Sequence, residues 1–457
     1  MIVFLKELGF AKPLIKRSCA KGKRLLTGNR LFCEQAFICN IRKGAPVVMK
    51  ILFVYPPSVY LNHAMFKHYT YFAETINLVK EQGYDVDVLD CGVELFDRRY
   101  IYSKLKRSDA VIVLIEPYNI RVAMSLVKIT KEMNAKCCTI FYGTAAALIP
   151  NYLKKNSRIN YIIADGFFYN GLIYALELEK HKSIAELDKT DSKPIIIRGI
   201  GKKTTWGNPI SDVVPINLYQ KYGNNMLEFT VQTGCPYNCS FCSEKILFGN
   251  NVKYFEQRPV DNIIEILKEA SGRFSSVYFS ATTFTYDRQW VLDICNSMIA
   301  EGIHIPWRSD TRIDCLDVEL VRLMKNAGLK QLSLGIESFE SKLLKRVNKG
   351  LKSDMLVDQI EMCHSEGITI KALLILGIPG QTADDVRHTN EMVEKLKIPY
   401  RWKEYSPIRE LYKADQSEEN VDTWIDAFDR TEFRTNSIQG LSSREYLELI
   451  FPDHYRR

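Results

Sequence analysis

From Met49 onward the chain repeats one unit, a short apolar run followed by a stretch of helical length and periodicity. "KILFVY", "YDVDVLD", "DAVIVLI", "KCCTIFY" and "NYIIA" are rich in β-branched and aromatic residues and read as strands. Tyr71 to Gln82, Ile120 to Asn134 and Ala145 to Asn156 read as the helices between them. Strands that alternate with helices need right-handed crossovers, so the strands lie parallel with helices on both faces. That alternation excludes all-helical and antiparallel folds.

The fold class is α/β, and two such units are expected. Residues 49–181 form a Rossmann-like, doubly wound parallel sheet. Its ligand lip is made by "YPPSVY", "EPYN" and "YGTAA", the segments leaving the first, third and fourth strands. No G-x-G-x-x-G follows the first strand, which leaves the dinucleotide fingerprint absent. Residues 182–225, with "DKTDSKP", "GIGKK" and "GNPISDVVP", break the rhythm and read as a linker. The rhythm resumes at "LEFTVQT" and continues through "SVYFS", "IHIPWRS", "KQLSLGI", "TIKALLIL" and "RWKEYS". Six strand-helix units over 226–412 fit a (β/α)6 partial TIM-type barrel, whose reactive groups belong on the loops leaving the strands. Residues 413–457 lose the rhythm and are expected to form a small, mostly helical extension across the barrel mouth.

The net charge of +8 is local. Residues 1–48 hold ten Lys or Arg against Glu7 and Glu34, so the remaining body is neutral and no nucleic-acid partner is expected. This basic segment has no signal-peptide layout, and we expect it to be a disordered or mistranslated extension, or else a targeting arm. No apolar run is long enough to span a bilayer. Twelve cysteines without a secretory signal point to a reducing, cytoplasmic setting, in which scattered thiols pack as small hydrophobes and clustered ones bind metal or react.

One cluster exists. "TGCPYNCSFCSE" places Cys235, Cys239 and Cys242 on the loop that leaves the barrel's first strand. Structural zinc wants four ligands, and the next cysteine, Cys295, is 53 positions on. A redox dithiol would use Cys239 and Cys242 and leave Cys235 without a role. A fully ligated ferredoxin cluster needs a fourth thiolate, whereas three thiolates on a four-iron cluster leave one iron open.

Cys235-Pro-Tyr-Asn-Cys239-Ser-Phe-Cys242 resembles the signature of the radical S-adenosylmethionine (SAM) enzymes. "IPWRSDTRID" (Ile305 to Asp314), "LSLGIESF" (Leu332 to Phe339) and "LLILGIPGQT" (Leu373 to Thr382) resemble that family's third, fourth and fifth strand ends, so the likeness covers about Glu228 to Tyr412. It implies a 4Fe-4S cluster on the three cysteines, SAM on the open iron, and an external reductant such as flavodoxin or ferredoxin. Reductive cleavage of SAM would then yield a 5'-deoxyadenosyl radical. The likeness also assigns cofactor contacts to Glu337 and Ser338 in "GIES" and to Gly377 and Gly380 in "GIPG". A helix-terminal carboxylate and a plain turn around Pro379 explain the same residues structurally. Thr282 and Thr283 in "SATTF" stand where relatives often carry acidic residues, and would donate hydrogen bonds without a charge. Arg312 either pairs a ligand carboxylate or makes a local ion pair with Asp310 or Asp314. No catalytic residue is assignable.

The order of the two units resembles the subgroup with an N-terminal cobalamin-binding domain, on the strength of "ILFVYPP" and "NYIIADG". The fourth strand departs from it: "FYGTAAAL" keeps only Gly143, and the lower-ligand D-x-H-x-x-G signature is missing. His63 and His68 follow the first strand and read as loop residues or as ligands. The resemblance implies cobalamin-dependent C-methylation of a small molecule or peptide. The alternatives are a corrinoid-free radical rearrangement, cyclisation or crosslink, and a noncatalytic iron-sulfur protein. Tyr286, Trp290, Tyr400, Trp402 and Tyr405 would line a cavity or fill the core.

Overall fold

The strand-helix rhythm becomes two six-stranded parallel sheets. The computed structural model describes residues 48–56, 64–91, 98–166, 168–182, 193–198, 205–222, 225–248, 254–429 and 438–450. The basic segment 1–47 and His63 lie outside the described residues. His68 falls in the helix Ala64–Glu81, but its side chain also lies outside them.

The first sheet comprises β1 (Lys50–Tyr55), β2 (Asp85–Asp90), β3 (Ala110–Leu114), β4 (Cys138–Tyr142), β5 (Tyr161–Ile163) and β6 (Ile195–Ile197), in the order β2-β1-β3-β4-β5-β6. β3 and β4 are buried at every residue and β1 at all but its first, as expected when helices cover both faces of a sheet. The order reverses between β1 and β3, which puts the ligand crevice at the ends of those two strands. Two features were hidden in the sequence. The stretch read as a linker supplies β6, whose three isoleucines pair with β5. The helix expected over Ala145 to Asn156 is two pieces, Thr144–Leu148 and Pro150–Leu153, because Pro150 has no N–H with which to continue a helix.

The second sheet comprises β7 (Met226–Thr230), β10 (Ser276–Ser280), β11 (Trp307–Thr311), β12 (Leu329–Glu337), β13 (Thr369–Leu376) and β14 (Tyr400–Glu404). They pair in sequence order from β7 to β14, a partial barrel with one helical face and one concave face. β11 starts only at Trp307, because Pro306 cannot donate to a ladder. "LEFTVQT" divides into β7 and β8 (Gln232–Gly234), and β8 pairs antiparallel with β9 (Phe255–Gln257). That hairpin carries the cysteine loop.

The helix Ala64–Glu81 packs on β7, and one apolar core runs through both sheets. Arg258 sits wholly buried at the seam. It donates to Glu74 Oε2 (2.9 Å), the Gly207 and Thr230 carbonyls and Asn262 Oδ1, and its guanidinium lies 4.8 Å from the centre of the Trp206 ring. A second bridge is the helix Ile408–Gln416. Its Asp415 carboxylate accepts from the Asn151 and Tyr152 amides of the first unit, while Arg409 reaches the cysteine loop. The helix Ser443–Ile450 packs on β14, and Tyr446 donates to Glu404 Oε1 (2.7 Å). Among the described residues, no helix is long and apolar enough to cross a membrane.

Candidate functional site

Gly234 ends β8 at φ +76°, where an added Cβ would stand 2.4 Å from the Tyr254 carbonyl. Only glycine makes this exit from the hairpin, and Cys235 is the next residue. Side chains from three directions then hold the loop's backbone. Lys245 Nζ donates to the Cys235 carbonyl (3.0 Å), Asn348 Nδ2 to the Asn238 carbonyl (2.9 Å) and Arg409 Nη2 to the Cys239 carbonyl (3.0 Å), while the Ser240 amide donates to the Val347 carbonyl (2.9 Å). The nine described cysteines are all free thiols.

Cys239 is buried, and Cys235 and Cys242 are half-buried. Burial pushes the Cys239 thiol above its ordinary pKa, while Lys349 and Arg312 pull it back towards the thiolate that binds metals. Burial, with Glu244 close by, pushes Cys242 up to about 12. Cys235 acts on Cys239, and both act on Cys242, so the three lie within one local field. Among the described residues, no three Cys, His, Asp or Glu side chains converge as the ligands of a single ion do. Thiolates that each bind a different corner of a four-iron cluster stand farther apart than that. Three thiols on one loop, with no fourth cysteine on it, are by their chemistry the donor set of a four-iron cluster with one open iron.

Two cationic side chains flank Cys239. The Arg312 guanidinium makes a bidentate pair with Asp314 (2.9 and 2.8 Å), donates to the Lys349 carbonyl and stacks 3.8 Å from the centre of the Tyr237 ring, with Nη1 4.0 Å from Cys239 Sγ. Of the roles open to Arg312, the structure shows the ion pair, with Asp314 as the partner. Lys349 Nζ pairs with Glu337 Oε1 at 2.8 Å, both groups being buried. Glu337 adopts φ +65° at a register shift in the ladder between β12 and β13, a conformation that costs a non-glycine residue free energy. Gly335 leaves room for the pair, since a Cβ there would meet Glu337 Oε1 and Lys349 Nζ, each at 2.7 Å.

Thr282 and Thr283 form a wall beside Cys235. Thr282 Oγ1 donates to the Gly234 carbonyl (2.5 Å), the Thr283 amide donates to Gln232 Oε1 (2.9 Å), and Thr283 Oγ1 lies 3.8 Å from Cys235 Sγ. Phe241, the aromatic before Cys242, packs with Tyr405 on Leu343, Val347, Ile375 and Ile378, which joins the cysteine loop to "GIPG". There, Gly377 and Gly380 both take positive φ, and Gln381 Oε1 accepts the Gly377 amide (2.6 Å) within a turn around Pro379. Ser338 lies apart from the loop. It is fully buried, sits 3.2 Å from Thr389 Oγ1 and accepts from the Glu340 amide.

The sequence reading passed over Lys349, Arg409 and Cys315. Lys349 and Arg409 carry no motif, and only the tertiary contact shows them. Cys315, read as a scattered small hydrophobe, is half-buried with its Sγ 3.2 Å from Tyr237 OH. Of the aromatics, Trp290 and Trp402 are core residues, while Tyr286 is exposed against Tyr237 and Phe255.

The lip of the first sheet faces this loop. The Gly166 amide donates to the Leu247 carbonyl (2.6 Å), and the helix Glu244–Leu247 packs on the helix Thr144–Leu148 that follows β4. Tyr55, Glu116 and Tyr118 lie together at the β1/β3 crevice, where burial raises both phenols and the Glu116 carboxylate adds to it, while the hydrogen bond between the phenols raises Tyr55 and lowers Tyr118. The lip's glycines are already occupied. A Cβ on Gly143 would meet the Ile115 carbonyl at 2.6 Å, and one on Gly166 would meet the Phe248 ring at 2.4 Å.

Comparison with known proteins agrees with this layout. Residues 229–393 match the family described as the radical SAM superfamily. An uncharacterized methyltransferase of Pyrococcus horikoshii is 24% identical over 375 residues, 77% of this chain and 79% of that protein. The radical SAM methyltransferase TsrM of Kitasatospora setae, solved with tryptophan and a SAM analogue, superposes with a TM-score of 0.64 at 15% identity, covering 80% of this chain and 76% of that one. The cobalamin-dependent radical enzyme OxsB, solved with aqua-cobalamin and SAM, superposes at 0.61 and 15% identity, covering 86% of this chain and 57% of that one. At such identities the two superpositions show a shared fold.

Proposed function

We propose that this chain, which belongs to the radical SAM superfamily over residues 229–393, cleaves SAM reductively and methylates an unactivated carbon of a small molecule or peptide with the help of cobalamin. The single observation that supports the reading most is the pairing of a three-thiol loop on the barrel with the ligand lip of the first sheet, which faces it.

In this reading Cys235, Cys239 and Cys242 hold a 4Fe-4S cluster. When bound, such a cluster supplies the electron that breaks the sulfonium bond of SAM. The chain's own residues arrange the site. Arg312 and Lys349 favour the Cys239 thiolate, and the lysine holds the Glu337 carboxylate in place at the strand end. Glu337 is assigned to the amino group of SAM, Thr282 and Thr283 to its amino-acid end, and the Gly377 to Gly380 turn, with Phe241 beneath it, to the adenine. Ser338 acts by fixing the backbone after Glu337. An external one-electron donor of the flavodoxin or ferredoxin kind reduces the cluster, in the cytoplasm.

Cobalamin is assigned to the β1/β3 crevice, near Tyr55, Glu116 and Tyr118. A second reading, radical chemistry without a corrinoid, draws support from Gly143 and Gly166, since neighbouring groups fill the space that lip glycines would leave. Anaerobic reconstitution with hydroxocobalamin, followed by desalting, separates the two. A retained corrinoid absorbance band supports methyl transfer, and its absence leaves the corrinoid-free reading. Production of 5'-deoxyadenosine from SAM is expected in both cases; none from an intact reconstituted protein would overturn them together.

A further inference from the structure

The concave face of the barrel carries charge that the cysteine site does not use. Along β10 and β11 burial alternates. Val277, Phe279, Trp307, Ser309 and Thr311 are buried on the helical face, and the residues between them turn to the lumen. The register lays Asp310 of β11, Ser333 of β12 and Lys371 of β13 side by side at one level. Arg308 lies two residues below Asp310 on the same face. Arg401 of β14 pairs with Leu373, two residues above Lys371 and one short of the level of Glu337. Tyr278, opposite Arg308, is close enough to Asp310 and Ser333 for both to act on its hydroxyl.

The charges do not balance. Three part-buried cations, Arg308, Lys371 and Arg401, share this face with two carboxylates, Asp310 and, opposite Tyr278 on β7, Glu228, and among the described residues none of the three cations has an ion pair or hydrogen bond through its side chain. Asp310 Oδ1 is itself buried and without a partner. Burial lowers the pKa of both Lys371 and Arg401, and Lys371 is lowered further by Arg401 and Arg308. Cations kept from water and from partners cost free energy unless something neutralises them.

We propose that the lumen binds an oxyanion, a carboxylate or phosphate on the substrate, through Arg401, Lys371 and Arg308, so that the rest of the substrate extends towards the cysteine loop. The arrangement supplies what such recognition needs. Two guanidinium forks and an ammonium stand on one face at successive levels of neighbouring strands, with Asp310 between them. Anchoring at mid-barrel would hold a substrate carbon at the mouth, below Glu337 and the trio. The inference rests on the barrel being the catalytic unit and adds the substrate class to that reading.

The test is calorimetric titration of the reconstituted full-length protein, saturated with SAM so that the cofactor's own carboxylate is not what is read. The probes are hexanoate, hexyl phosphate and the uncharged hexanamide. At least one anion should bind about tenfold or more tighter than the amide, and which one binds identifies the group. Arg401→Gln and Lys371→Gln should each erase about tenfold of that preference, Arg401→Lys less, and Asp310→Asn should strengthen anion binding. Anions that bind no better than hexanamide to the unsubstituted protein would overturn the proposal without any variant. So would a preference untouched by Arg401→Gln in a variant whose thermal melt is unchanged. Adding SAM to the reduced protein and following the cluster's spectrum reads the radical function separately. A SAM response without anion preference overturns this inference alone, and the converse overturns the radical reading alone.

Discussion

The two sheets share one grammar, parallel strands joined by helices, and differ in what covers them. In the first sheet, helices lie on both faces, so β3 and β4 are buried at every position. In the second, helices cover one face and the other is a lumen, so β10 and β11 alternate and carry Tyr278, Arg308 and Asp310 inward. A sheet buried on both faces has only its lip to offer a ligand, whereas a barrel offers both its mouth and its interior. The cysteine loop at the mouth and the charged lumen both belong to the second unit.

The largest expected effect is chemical. Cys239→Ala should abolish 5'-deoxyadenosine formation, measured by chromatography after reduction with SAM present, while Cys138→Ala in the first sheet should leave it intact in protein that still folds. Equal loss from both would erase the distinction between the units. Next is the seam. Arg258→Ala removes one partner of a wholly buried ion pair and should cost about 3–5 kcal/mol in urea denaturation. A loss below about 1 kcal/mol would mean that the two sheets do not depend on that contact.

Neighbours on one strand sharpen the contrast between faces. Phe279 packs on Phe229, Phe284 and Trp307, so Phe279→Ala should cost about 3–5 kcal/mol. Tyr278→Phe, one residue away on the lumen face, should cost about 1 kcal/mol or less. Similar losses would show that both faces are packed core.

How the sequence could be read follows from the same contrast. "DAVIVLI" and "TIKALLIL" announce strands through their composition, and β3 and β13 lie within those runs. β6 was missed because three isoleucines after a proline in a charged stretch look like linker, and only pairing with β5 makes them a strand. The trio was legible because its spacing is local. Lys349, Arg409 and the lumen cations were not, since their meaning depends on strands that the chain joins far apart in sequence. Arg312 was singled out, but the choice between Asp310 and Asp314 needed the fold.

The smallest effect concerns the helix Ser443–Ile450 beside β14. Hydrogen bonds from the Ser442 side chain and amide, then from Arg387, hold the Glu445 carboxyl down to about 2 from an ordinary 4.5. The stability this gives is fully present above about pH 4.5 and is lost as pH falls towards 2. Acid unfolding followed by circular dichroism should show a shallower pH dependence for Glu445→Gln than for the unsubstituted protein in that window, and an identical curve would remove the cap from the account.

The claim on which the rest depends is that three thiols leave a site for SAM. Electron paramagnetic resonance of the anaerobically reconstituted, reduced protein tests it directly. The account predicts a four-iron signal whose g values shift when SAM is added, and no such signal from Cys239→Ala. A four-iron signal that SAM leaves unchanged would contradict it.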